Sequence, residues 1–406
     1  KGYNYTNINL DGKFKNPQFN GNLSIRDPNL KMDFSGLVDI SADQNRYDFR
    51  ANVDYMELHQ LKLVERDSIA VFSGLVEMQV VGTSEDDVQG SIEFKETFYQ
   101  NELDNYFFDD FKVTASRSGS KRTIEVDSPD IIDGKVSGEF DLFDVPNLFR
   151  NAIGSIYTNY QPQEVTQDQY LTYSFVVYNK ILEVFVPGIE LGENTRVSGS
   201  VSSDEKKFKL NFDSPEILLF DNYLNEVTLR VDNDNPLYNT YISVDSIDAG
   251  FYRLNDLSLI NATLRDTLYI QSEFRGGDQQ EDGFQLSLYH TINPEGKSVV
   301  GMKRSTIEYK QNQWLLNKDN NKQNKIVFDD NFQNIKIDSL VLNHRQEYIT
   351  MAGVLNGSNN KDIDLRFIDV NIDNITPVID SLELDGAVNG TLRLLQQQGA
   401  YLPTAD

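Results

Sequence analysis

The stretch Ile363–Leu394, IDLRFIDVNIDNITPVIDSLELDGAVNGTLRL, decides how the rest of the chain reads. Its first residues set Ile363, Leu365 and Phe367 against Asp364 and Arg366, the period-two alternation of a pleated strand. A short segment follows in which Ile372, Ile375 and Ile379 recur at helical spacing, with Pro377 near its start. The alternation then returns. Leu382, Leu384, Gly386, Val388, Gly390, Leu392 and Leu394 take one side, and Glu383, Asp385, Ala387, Asn389, Thr391 and Arg393 the other. At ~3.3 Å per residue this second run is roughly 40 Å long, well past an ordinary strand. Two long strands, each with one apolar face, are joined around a short amphipathic plug.

Working outward, the segments Tyr47–Val81 and Tyr173–Val201 repeat that strand–plug–strand plan. Between them, Phe111 and Val113 alternate with polar residues, and Ser118-Gly119-Ser120 makes a hairpin turn. Ile124 and Val126 return on the next strand, and Val136, Gly138, Phe140 and Leu142 form another apolar face. One true helix is expected, over about residues 145–158. Asp144 is its cap, Pro146 sits in its first turn, and Leu148, Phe149, Ala152, Ile153, Ile156 and Tyr157 share one side. Val126-Asp-Ser-Pro-Asp-Ile131 recurs as Phe212-Asp-Ser-Pro-Glu-Ile217, and more loosely as Val244-Asp-Ser-Ile-Asp-Ala249. The spacing is irregular, unlike that of propellers. Arg275–Asp282 and Asn317–Lys325 are the most loop-like stretches, yet neither forces a boundary. The pattern predicts an all-β chain, continuous over 1–406.

Composition narrows what such a chain does. A net charge of −26 excludes a nucleic-acid partner, because phosphate binding needs clustered Lys and Arg. Cysteine is absent, which removes disulfides, zinc–thiolate sites and a thiol nucleophile. No run approaches the ~20 apolar residues of a membrane span. Lys1-Gly2-Tyr3-Asn4-Tyr5 reads as mid-fold sequence, so a piece of a longer protein is expected, with any targeting segment outside it.

A strand with one apolar face must cover it, either with another sheet or with something other than itself. The alternation leaves both open. The strand–plug–strand units, the D-S-P-[DE]-I segments read as strands, and Phe284–Leu316 (FQLSLYHTINPEGKSVVGMKRSTIEYKQNQWLL) resemble the AsmA-like, TamB group of envelope proteins, in its Bacteroidota form. The resemblance spans nearly the whole chain through diffuse patterns. It implies a long U-shaped, taco-like β-sheet with an apolar groove and a few short helices. It further implies a periplasmic, non-enzymatic bridge for phospholipid, with the full-length protein anchored in the inner membrane and reaching the outer membrane. A BamA-family barrel partner (TamA/TamL-like) would be met through regions outside this chain. The alternative is a scaffold that holds unfolded outer-membrane strands by β-augmentation.

On the lipid reading, the groove lining comprises the apolar faces already described. In the first half these are Phe111, Val113, Ile124, Val126, Val136, Phe140 and Leu142. Near the C-terminus they are Ile363, Leu365, Phe367, Leu382, Leu384, Val388, Leu392 and Leu394. No cofactor or metal is expected. His59, His290 and His344 lack zinc spacing, and Ser84-Glu-Asp-Asp87 and Asp232-Asn-Asp-Asn-Pro236 lack the Gly and distal Glu of a calcium loop. Trp314 reads as a packing anchor. Ser68, Ser246, Thr267, Ser339 and Ser381 each follow Asp and precede an apolar residue. This resembles the O-glycosylation acceptor of exported Bacteroidota proteins, although Asp-Ser and Asp-Thr also simply open strands after turns.

Overall fold

The computed structural model describes the chain except residues 1, 16, 41–44, 84–86, 157–159, 187, 205–206, 236, 251, 265, 278, 330, 377–384, 403 and 406. The fold is all-β, with 64% strand and 6% helix, and every strand pairing below is antiparallel. The chain divides into two compact units.

The first unit comprises residues 1–149, 164–204 and 210–220. It begins as a meander of β1 (Ile8–Lys15), β2 (Gln18–Asp27), β3 (Leu30–Asp39), β4 (Asn45–Glu57), β5 (Val71–Gly82) and β6 (Gln89–Gln100). The last residues of β6 pair with β7 (Asn105–Phe108) and its first residues with β8 (Phe111–Ser118). The order continues through β9 (Lys121–Asp127) and β10 (Ile132–Glu139). After the helix α1 (Val145–Gly154), β11 (Tyr170–Val177) returns to pair with β10. A second helix, α2 (Asn179–Phe185), leads to β12 (Ile189–Leu191), β13 (Arg196–Ser202) and β14 (Lys209–Leu219). β13 extends the meander beside β11, and β12 pairs with β14.

Glycine lets these strands approach closely. Gly12, Gly21 and Gly36 lie directly opposite one another on β1, β2 and β3. A Cβ at Gly21 would fall 2.4 Å from the Gly12 Cα, and one at Gly36 2.5 Å from the Phe49 Cα. Gly36 also holds φ at +144°, which side chains disfavour.

The second unit comprises residues 150–163, 205–209 and 221–406. Its meander runs β15 (Asn222–Asp232), β16 (Thr240–Asp248), β17 (Arg253–Leu264), β18 (Thr267–Gly276) and β19 (Asp282–Ile292). Next to β19 the row splits into β20 (Ser298–Met302) and β21 (Ser305–Tyr309). The following row is split too, with β22 (Asn312–Leu316) beside β21 and β23 (Lys325–Phe328) beside β20. Both halves pair with β24 (Asn334–His344), and β25 (Glu347–Asn356), β26 (Asn360–Asn371) and β27 (Ala387–Gln397) complete the order.

The Asn-rich stretch between β22 and β23 is built into the break. The buried Asn317 donates from Nδ2 to the Met302 carbonyl at 2.6 Å and accepts from the Asn321 N–H at 2.6 Å. Asn324 Oδ1 accepts from the Val341 N–H at 2.8 Å. Side-chain amides thus supply bonds that a continuous strand would have made with its backbone.

Several local expectations need correction. β10 ends at Glu139, so Phe140 and Leu142 lie beyond the strand, in the approach to α1. Phe140 is buried there, with the Arg122 guanidinium 5.4 Å from its ring centroid. Asp144 does not cap α1 with its carboxylate. Oδ2 accepts instead from the Thr166 N–H at 2.9 Å and from Gln169 Nε2 at 2.7 Å. Leu148, Ala152 and Ile156 are buried as expected, but Ile153 is exposed, and Tyr157 lies outside the described residues. Ser128 of the first D-S-P copy is buried in a turn rather than a strand, with its Oγ accepting from the Ile131 N–H at 3.1 Å. The equivalent Ser214 is buried within β14.

Candidate functional site

Strand register shows which side chains share a face. In the first unit Leu10, Leu23, Phe34, Ala51, Val76, Phe94 and Phe111 stand opposite one another in turn, across β1 to β6 and on to β8. A neighbouring row runs through Met78, Ile92, Val113, Val126, Gly134, Phe175 and Val197. Ile124 and Val136 form part of a third, ending on Tyr173. Aromatic pairs reinforce these rows, Phe94 stacked on Phe111 with centroids 4.6 Å apart and Phe34 tilted against Phe49 at 4.9 Å.

The opposite face carries charge. Lys95 Nζ lies 2.9 Å from Glu77 and 3.4 Å from Glu93, and Arg50 lies 3.7 Å from Glu77. Lys95 holds the Glu77 carboxyl below its ordinary range. An open depression of about 460 Å³ covers this ladder, lined mostly by polar and charged residues such as Arg50, Glu77, Glu93 and Lys112, with Phe49 and Met78 also in its wall.

The second unit is two-faced in the same way. Leu268, His290, Val300, Ile326, Ile337, Gly353, Ile363 and Leu394 are successive cross-strand partners. Met351, Leu365 and Leu392 form the adjoining row, Ile349, Phe367 and Gly390 the next, and Val370 pairs with Val388. Arg393 and Asp362 meet on the polar side at 2.7 Å, and the guanidinium lowers the Asp362 pKa. His290, set into the apolar rows, has its pKa lowered by burial. Its Nε2 lies 3.2 Å from Ser298 Oγ.

These apolar faces are incompletely covered. Phe34, Phe94, Phe111, Val113, Ile124, Val126 and Val136 are half-buried, as are Ile363, Leu365, Phe367, Val388 and Leu394, and Leu392 is 41% exposed. Local plugs seal small areas. Leu61, from the Leu58–Ala70 segment, is 1% exposed and packs with Ile25 and Leu30. The Phe149 ring of α1 packs at a tilt against Tyr173, with centroids 5.3 Å apart, and burial pushes the Tyr173 hydroxyl pKa up.

Most of the sequence-predicted lining is therefore co-facial within each unit. Leu382, Leu384 and Ser381 lie outside the described residues. The lining set omitted Leu10 to Phe94 of the first unit, although the same alternation marks them. Trp314 is fully buried, with its ring 5.4 Å from that of His344.

Among the described residues no three His, Asp or Glu side chains are grouped to hold a metal ion. Asp232 is engaged by Lys209 at 3.0 Å. Of the glycosylation candidates, Ser68 is exposed on a loop. Ser246 and Ser339 are half-buried within strands, Ser246 accepting from Asn225 Nδ2 at 2.8 Å, and Thr267 opens β18.

Comparisons with protein-family models, curated proteins and solved structures returned no match. The sheet faces and their chemistry are what bear on function.

Proposed function

We propose that the chain is a segment of a periplasmic, TamB-like bridge that shields phospholipid acyl chains on an apolar sheet face, for inner-to-outer membrane lipid transport. The observation that carries this reading is the half-exposure of long apolar rows. In a filled sandwich two inner faces interdigitate, and side chains such as Phe94, Val113 and Leu365 would be sealed.

Burying a methylene contributes ~0.8 kcal/mol, so a fifteen-carbon chain gains up to about 10 kcal/mol on such a surface. That holds a lipid out of water. Sliding along a uniform row exchanges one set of contacts for an equivalent set, so retention and movement are compatible, and no nucleotide site is needed within the segment. On this reading the full-length protein is anchored in the inner membrane and meets a BamA-family barrel through regions outside the chain.

The test is photo-crosslinking in cells from Val113, Phe367 and Leu392, with Lys112, Arg366 and Arg393 as polar-face controls. Phospholipid captured from the first three positions alone supports shielding. Capture from both faces, or from neither, overturns it.

A second reading, a scaffold for outer-membrane strands, draws on β1. All eight of its residues are exposed, and among the described residues it pairs only with β2. Ile8, Leu10 and Phe14 alternate along it, as a template for an added strand requires. Crosslinks from β1 to barrel peptides, in the absence of lipid capture at Val113, favour this reading.

A further inference from the structure

Resting on the lipid reading, we propose that the strap Leu58–Ala70 is a movable lid over the apolar face of β2–β4, displaced when an acyl chain takes the place of Leu61.

The strap joins β4 to β5 and folds back onto the face that the rows above define. Leu61 is the one strap side chain sealed among apolar neighbours of that face, with Ile25 and Leu30 beneath it and Leu23, Met32 and Met56 around it. Where the strap does not reach, the same strands leave Phe19, Val38 and Tyr47 half-buried. An aliphatic side chain therefore occupies a place that the rest of the face offers to something else.

The strap is attached at a base and at a latch, and between them Leu61 sits on a local turn in which its own N–H donates to the Glu57 carbonyl at 3.0 Å and the Leu63 N–H to the Leu58 carbonyl at 2.8 Å. At the base the Leu58 N–H donates to the Ala70 carbonyl at 2.7 Å, and the Ala70 N–H donates to Glu57 Oε1 at 3.0 Å. These bonds close the loop without requiring Leu61 to be inserted, so they define a hinge. The latch lies farther along. Asp67 is buried, takes the Tyr99 hydroxyl and pairs with Arg66, whose guanidinium stacks on Phe185 at 4.6 Å.

Two features oppose the closed arrangement. His59 Nδ1 is buried with no hydrogen-bond partner among the described residues, a cost that opening to water removes. Lys62, next to Leu61, is held at φ 60°. Leu63 (60% exposed) and Ile69 (44% exposed) face solvent, so besides Ala70, buried at its base, the strap inserts one apolar side chain and displays two others. Such a segment trades its single insertion for an incoming chain at little net loss of apolar burial.

The absence of native cysteine makes the test clean. Leu61→Cys and, separately, Leu30→Cys in the full chain are labelled with N-ethylmaleimide, with and without phosphatidylcholine vesicles. Lipid capture by a photo-crosslinker at Phe367 is read in the same preparations. The expected result is slow labelling without lipid and an increase of about tenfold with it at both positions, since each reads the same covered patch. Tyr99→Phe, which removes the latch hydroxyl, is expected to raise the lipid-free rate. Capture at Phe367 with unchanged labelling overturns the lid and leaves the shielding face standing. Loss of capture at Phe367 overturns both. Because Leu30→Cys leaves the strap intact, poor folding of Leu61→Cys does not excuse a flat result.

Discussion

At the scale of single residues, Asp27 shows what a buried carboxylate does at the edge of an apolar face. It is 1% exposed, receives the Tyr3 hydroxyl, and accepts from the Thr6 N–H at 2.8 Å, Thr6 Oγ1 at 2.7 Å and the Asn29 N–H at 2.9 Å. The Tyr3 bond, followed by those from Asn29 and Thr6, holds its pKa down from 3.8 to about 2. A folded pKa below the unfolded one stabilises the fold above pH 3.8, and the contribution fades as pH falls through about 2. Asp27→Asn should therefore lower the urea midpoint at pH 7 and flatten its decline in that acid window, as followed by circular dichroism. Gly21 makes a complementary case through space rather than charge. With Gly12 backbone 2.4 Å from any added Cβ, Gly21→Ala should destabilise by ~1–3 kcal/mol, read from the same denaturation curves. The composition of the strand marks this glycine only as unusual. Its reason appears once Gly12 and Gly36 are seen opposite it.

At the scale of elements, alternation was a good guide and connectors were a poor one. The co-facial sets of β8, β9, β26 and β27 could be read directly, because side-chain direction follows from parity along a strand. Parity fails where strands stop or bulge. Phe140 and Leu142 continue the odd–even pattern of β10 but fall after its last pairing. Asp144 has the right type and position for a cap, yet the distant Gln169 and Thr166 claim its carboxylate. Asn317–Asn324 looks like a flexible linker because Asn, Lys and Gln are usually solvated. Its amides instead bridge two broken strand rows, through partners far apart in sequence. Asn317→Ala should therefore cost ~1–3 kcal/mol in the urea-unfolding free energy, by leaving the Met302 carbonyl without its amide donor and releasing the Asn321 turn. An ordinary surface loop would show almost no change.

At the scale of the whole molecule, the all-β class was legible from end to end, whereas the division into two compact units was not. Neither Arg275–Asp282 nor Asn317–Lys325 marks that division, which is made of contacts and leaves no local signature. Modification belongs at this scale as well. Ser68, exposed beside the latched Asp67, is the described acceptor with free access, so native protein should carry added glycan mass that Ser68→Ala removes. An unmodified intact mass would sink that expectation. The meander order has a further consequence for how such a chain lengthens. Strands lie ~4.8 Å apart and alternate in direction, so adding or deleting one hairpin changes a unit by about 10 Å while the backbone still leaves on the side from which it entered. A lone strand would send the chain out at the wrong end. Reach in this architecture is thus quantised in even increments, and relatives of different span should differ by whole hairpins.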